Sequence, residues 1–300
     1  MRRAASIILL FGILLFGWAS SAVGDPAPRR PSLADILKAS PASDWRALDP
    51  TNTLYLELPA GRLVMELAPA FAPSHVANIK ALVRGKYFDG LSVLRAQDNY
   101  VVQWGDPDGT RPVGNAKKTL AAEFDQPSLG IRFTPLPDPD TYAASTGFSD
   151  GFPAAHDDTG RSWLTHCYGM LGVGRDNAAD SGGGTELYVV IGHAPRHLDR
   201  NVTLVGRVVL GMEFLSTLRR GTGDLGFYEK PSERTRVLSM KLASDVPSDE
   251  RTALELLRTD SPTFAAVVES RRNRTDEWTK RPVGHIEVCN APLPARRPLK

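Results

Sequence analysis

The feature that most constrains this chain is a period-two alternation that reverses across a short turn. Leu54, Leu56 and Leu58, and then Leu63, Met65 and Leu67, occupy every second position of two successive runs. In an extended chain those side chains share one face. Pro59-Ala60-Gly61-Arg62 between the runs carries turn chemistry. The pattern predicts a β-hairpin of fixed register, because a one-residue slip would turn the whole apolar set to solvent. Further short strand-like runs stand at 100–102, 170–173, 187–191, 204–208 and 237–242. Two stretches have helical spacing instead. Val76, Ile79, Leu82 and Val83 follow Pro73 and stop at Gly85, while Met212, Leu215 and Leu218 precede Gly221. Many short strands with two helices predict a mainly β domain, a barrel capped by helices.

The flanking regions differ in character. Met1-Arg2-Arg3, the apolar run 4–18 and the small residues Ala19, Ser20, Ser21 and Ala22 have the layout of a secretory signal occupying 1–24, cleaved after Ala22 or Gly24. The apolar run is shorter than the ~20 residues a membrane span needs. A periplasmic or secreted location follows, the alternative being a membrane anchor formed by an uncleaved segment. Residues 25–50, rich in proline and small residues, read as a linker with a short amphipathic stretch near 33–37. The ordered domain is expected at 51–243, with the Pro-, Asp- and Gly-rich segment 124–164 as an inserted loop. Residues 244–300 read as a C-terminal extension, helix-like at 250–257 and 263–270.

Several function classes fall away. The 36 basic and 34 acidic side chains nearly balance, which gives no concentrated basic face for nucleic acid. His193 and His197 are four apart, but Ala194-Pro195 between them indicates a loop and no metal site. Gly182-Gly183-Gly184 lacks the Lys-Ser/Thr of a phosphate loop, and no serine sits in a Gly-x-Ser-x-Gly turn. The two cysteines, Cys167 and Cys289, leave two readings: one disulfide tying the tail to the domain, or two buried thiols.

Three segments in order carry a family resemblance. The first is the hairpin with the helix start Ala72-Pro73 and Val76-Ala77-Asn78. The second is Tyr87-Phe88-Asp89-Gly90, then Arg95, then the run from Tyr100 through Gln103-Trp104-Gly105-Asp106-Pro107. The third comprises 169–174, Gly182-Gly183-Gly184-Thr185-Glu186-Leu187-Tyr188-Val189, Leu198-Asp199 and Val205-Gly206-Arg207-Val208. Together they resemble the cyclophilin-type peptidyl-prolyl cis-trans isomerases. The resemblance implies a closed eight-stranded antiparallel barrel with a helix over each end. It also implies a monomer that needs no metal or cofactor and takes proline-containing unfolded or exported polypeptides.

By the same resemblance Arg95 is the catalytic arginine and Gln103 orients it. Tyr100, Val101, Tyr188 and Leu198 line the proline pocket, Gly174 and Arg175 form the groove rim, and Glu186 stands beside the arginine. The pocket departs from the family pattern. Val101 replaces a methionine, Leu187-Tyr188 a pair of phenylalanines, Glu186 a glutamine, His197 a tryptophan and Val202 a histidine. A carboxylate at Glu186 is expected to pair with the Arg95 guanidinium, either holding it in place or, as the favoured reading, drawing its donors away from substrate. The expected function is isomerisation of X–Pro bonds in exported proteins. The alternative is a catalytically weak peptide-binding chaperone on the same fold.

Overall fold

The computed structural model describes residues 31–298. The 1–24 signal segment and the start of the 25–50 segment lie outside them. Ser32 caps the first helix, α1 (Leu33–Ala39), its side chain accepting from the Asp35 N–H while the Asp35 carboxylate accepts from the Ser32 N–H. Strand β1 (Trp45–Ala47) follows. From residue 33 on, the expected linker is therefore folded structure: Leu33, Ile36 and Leu37 pack into an apolar core, and Trp45 is buried.

The hairpin forms in the expected register. β2 (Thr53–Leu58) pairs with β3 (Gly61–Leu67), setting Leu54 opposite Met65 and Leu56 opposite Leu63, all fully buried. Helix α2 (Pro73–Arg84) begins with proline and buries Val76, Ile79, Leu82 and Val83. Its start has no local side-chain cap. The Glu123 carboxylate substitutes, accepting the N–H groups of Ser74 at 3.0 Å and His75 at 2.9 Å. After β4 (Ser92–Ala96) and β5 (Val101–Gly105), the chain enters the segment expected as a loop. It holds instead a five-stranded antiparallel sheet made of β6 (Gln126–Pro127), β7 (Thr134–Pro135), β8 (Ser145–Ser149), β9 (Phe152–His156) and β10 (Arg161–Leu164). Its central hairpin turns at Asp150-Gly151, both left-handed, as a two-residue turn of matching twist requires.

The main sheet resumes with β11 (Met170–Val173), β12 (Glu186–Val190) and β13 (Leu204–Leu210). Helix α3 (Met212–Ser216) is shorter than the sequence spacing suggests: Thr217 N–H closes the last helical bond to Glu213, and Leu218 N–H turns to the Leu215 carbonyl at 3.2 Å, a tighter i→i−3 bond that ends the ladder. β14 (Ser239–Leu242) completes an eight-stranded order β14-β2-β3-β13-β11-β12-β5-β4. That sheet is an open, curled half-barrel, not the closed barrel expected. Its edge strands share no ladder; between β4 and the residues just ahead of β14 there is one isolated antiparallel bridge, Ser92 with Arg236. Three main-chain hydrogen bonds span the seam, from Val93 N–H to the Thr235 carbonyl, from Gly90 N–H to the Val237 carbonyl and from Val237 N–H to the Leu91 carbonyl.

The C-terminal region is integral to the fold. The helix expected at 250–257 is a 3-10 turn followed by β15 (Glu255–Leu257), which pairs with β1 and buries Leu256 and Leu257. α4 (Pro262–Arg272) packs on α1, and β16 (Ala295–Arg296) extends the small sheet. The described residues carry four α-helices: the two expected with the barrel are α2 and α3, the helix-like stretch 263–270 falls within α4, and α1 occupies the short amphipathic stretch of the expected linker. A disulfide joins Cys167 to Cys289. Two large apolar cores result, beside a smaller cluster of Tyr55, Val64, Ala243, Val246 and Leu254. One lies inside the curl, with Trp104, Phe88 and Leu56; the other, with Phe148, Phe264 and Val190, lies between the sheet's outer face and the added elements.

Candidate functional site

Strand register brings the candidate residues together. Arg95 of β4 lies opposite Gln103 of β5, which lies opposite Tyr188 of β12. Three laterally paired residues share one face of a sheet. Val101 and Glu186, two positions away on their strands, share it as well. The alternating residues Val102, Trp104, Leu187 and Val189 point into the curled core. The outer face of these strands floors a groove of about 820 Å³. All nine residues expected there line it: Arg95, Gln103, Tyr100, Val101, Gly174, Arg175, Glu186, Tyr188 and Leu198.

Arg95 is half-buried and held on several sides. Its Nε–H donates to the Leu225 carbonyl at 2.6 Å, its Nη1 to Gln103 Oε1 at 3.4 Å, and its Nη2 to Gln97 Oε1. The guanidinium also stands 5.4 Å from the ring centres of both Tyr100 and Phe227. Burial pulls its pKa below the usual value, against a smaller opposing effect of Tyr100. Arginine nonetheless remains charged at neutral pH.

The expected carboxylate–guanidinium pair is not formed. Glu186 accepts from Gln103 Nε2 at 2.5 Å, and the same amide's oxygen faces Arg95. The carboxylate therefore orients the amide, and the amide orients the arginine. Burial raises the Glu186 pKa, the Gln103 hydrogen bond working against it. Gly174 lies against this pair, since a Cβ there would meet Glu186 Cβ at 3.1 Å and Gln103 Nε2 at 3.3 Å. Arg175 is tied to the rim by donating to the Asn201 and Asp176 carbonyls.

Beneath the pocket lies a polar chain that sequence reasoning missed. The Tyr188 hydroxyl is 2.9 Å from His166 Nε2, and His166 Nδ1 is 2.9 Å from Asp199 Oδ1. Because Nδ1–H faces a carboxylate, Nε2 accepts and the tyrosine donates. Asp199 also accepts from Arg196 Nε at 2.6 Å, and Arg196 grips Asp140 with both Nη atoms. His166 is fully buried, which depresses its pKa despite the Asp199 hydrogen bond. Gly172 leaves room for the Tyr188 ring, which a Cβ there would strike at 2.3 Å. Leu225, Phe227 and Gln97 were missed too; the only sequence signal was a pair of apolar residues in the glycine-rich run 221–227. His193 and His197 lie in a loop and a 3-10 turn and are both exposed.

With this geometry in hand, known proteins give a consistent picture. Residues 53–242 match the family described as cyclophilin type peptidyl-prolyl cis-trans isomerase/CLD. A probable peptidyl-prolyl cis-trans isomerase of Brucella suis is 29% identical over 176 residues, which cover 59% of this chain and 76% of that protein. Peptidyl-prolyl cis-trans isomerase B of Bacillus subtilis is 27% identical over 161 residues, 53% of this chain and 85% of its own. The crystal structure of a cyclophilin from Hirschia baltica superposes with a TM-score of 0.68 at 26% identity, covering 84% of this chain and 92% of that one. The likeness therefore reaches beyond the segment 53–242 into the added elements. Half-barrel, outer groove and matched sequence converge on one conclusion: the chain belongs to the cyclophilin-type peptidyl-prolyl cis-trans isomerases.

Proposed function

We propose that the protein accelerates cis–trans exchange of X–Pro bonds in exported polypeptides, with Arg95 as the donor that lowers the barrier. The observation that carries this reading is the convergence of Arg95, Gln103, Tyr100, Val101, Tyr188 and Leu198 on one open groove. Uncatalysed exchange takes tens to hundreds of seconds because rotation breaks amide resonance. Catalysis therefore needs no nucleophile and no acid–base pair. It needs an apolar seat for the proline ring and a donor for the proline nitrogen as that atom becomes pyramidal. Val101, Leu198 and the Tyr188 ring supply the seat. Arg95 has five N–H groups, of which three are engaged by Leu225, Gln103 and Gln97, leaving two for substrate. The donors are fixed before substrate arrives, so their stabilisation is realised at the transition state.

An isomerisation assay on a short X–Pro peptide tests the reading. Arg95→Ala should lower kcat/KM about a hundredfold, the usual cost of removing one preorganised donor. Peptide binding with no acceleration by the parent protein would instead favour the chaperone alternative, to which the small Val101 and the Glu186-engaged amide lend support. Export rests on residues 1–24, and fractionation of cells expressing those residues fused to a reporter tests it.

A further inference from the structure

The segment 221–228 is a fixed wall of the groove that the family resemblance did not supply. It is docked on β4 by main-chain bonds on either side of Arg95, from Gly221 N–H to the Ala96 carbonyl at 3.0 Å and from Tyr228 N–H to the Leu94 carbonyl at 3.0 Å. Tyr228 is buried in the inner core, and the loop is cross-braced by Phe227 N–H to Asp224 and Gly223 N–H to Phe227. On this rigid base the loop presents two apolar side chains to the groove. Leu225 is 66% exposed and Phe227 39%. Leu225 has a left-handed backbone, φ 54°, which a branched side chain adopts at a cost. That conformation aims its carbonyl at Arg95 Nε and leaves its side chain in solvent beside the guanidinium. The opposite end of the groove is polar, with Asp176, Asn177, Ser181 and Thr185.

We propose that Leu225 and Phe227 form an apolar subsite for the substrate residue flanking proline on the Arg95 side. The subsite would make the protein select X–Pro segments with an aromatic or branched aliphatic neighbour at that position. The two side chains extend the peptide groove itself, and Phe227 stacks on the arginine that the proline must approach. Binding there covers apolar surface that is otherwise wet. The inference rests on the reading that the groove takes X–Pro peptides.

The test uses the full chain and a peptide panel in which the residue on each side of proline is Gly, Ser, Leu or Phe. Both kcat/KM and direct binding by titration calorimetry are measured. The parent should favour Leu or Phe over Gly about tenfold at one flanking position only, through KM rather than kcat. Leu225→Asn keeps a residue that tolerates the left-handed backbone and retains the carbonyl to Arg95, so it removes the side chain alone. That variant and Phe227→Ala should each reduce the preference severalfold. A preference that shows in binding without any catalysis would support the subsite while overturning the catalytic reading. A flat panel in the parent, or a preference unchanged in both variants, overturns the subsite.

Discussion

Glu186 gains its meaning from one amide. Its carboxylate takes Gln103 Nε2, which fixes the Gln103 oxygen toward Arg95. Glu186→Gln would let the neighbouring amide sit either way round, and the guanidinium would lose a fixed acceptor. We expect kcat/KM to fall severalfold with little change in stability; a rise would show that the carboxylate restrains the arginine unproductively. His166 supports a pH prediction. Burial lowers its folded pKa below the usual value near 6.5, so between the two values the unfolded chain binds a proton that the folded chain does not. Stability from this site is complete above about pH 6.5 and declines as pH falls below it. Half-buried His156 is shifted the same way, again mainly by burial. Urea midpoints at pH 7.5 and 5.5 should therefore differ, and His166→Gln should reduce the difference. Arg95, Gln103 and Tyr188 were legible because the order and spacing of the motifs that carry the family resemblance locate them. Asp199 and His166 were not, because their partnership joins residues 33 positions apart.

At the scale of elements, strands made of apolar runs were readable, whereas β8 and β9, five residues each but built mainly of small residues with Gly147 and Pro153, were not. The hairpin β2–β3 and the helix α2 bury what their periodicity indicates. The inserted sheet escaped because β6 and β7 are two residues each and both end in proline, a residue that reads as loop. Asp150-Gly151 was nevertheless a hairpin signal in the sequence. At 254–257 a dense apolar cluster mimicked a helix, while in the fold β1 offers it a strand edge. The same sheet predicts a mutational contrast. Phe148 is 1% exposed and meets Phe264 of α4 edge-to-face, ring centres 5.0 Å apart. Phe148→Ala should cost about 3–5 kcal/mol in urea unfolding, as large core truncations do. Leu129, 96% exposed in the same region, should tolerate alanine to within about 0.5 kcal/mol. Similar costs at both positions would mean that the inserted sheet does not seal a core.

Across the whole molecule, the groove floor belongs to both cores at once. Val101 and Tyr188 point to the outer core, with Phe264, Val288 and Cys167, while their strand neighbours Val102 and Leu187 point inward. The C-terminal segment is thus part of the site's foundation, fastened by the β1–β15 ladder, by the Asp138 carboxylate that accepts from Arg272 and from the Ile286 N–H, and by the disulfide between Cys167 and Cys289. The bridge spans 122 residues, for which the chain-entropy model gives about 5 kcal/mol. Cys289→Ser should lower unfolding stability by up to that amount, and the loss should be uneven. Amide exchange should rise first in α4 and β8–β9, which cover the outer core, and reach His166 and Tyr188 next. The β2–β3–β13 ladder should keep its protection, since Leu54, Leu56, Leu63, Met65, Val205 and Val208 pack into the inner core, away from the bridge. Catalysis gives a second readout: KM for an X–Pro peptide should rise before kcat falls, because the proline seat loosens while Arg95 stays braced by Leu225 and Gln97. Uniform exchange across both cores would show instead that they unfold as one unit, and that the C-terminal segment stabilises the half-barrel as a whole.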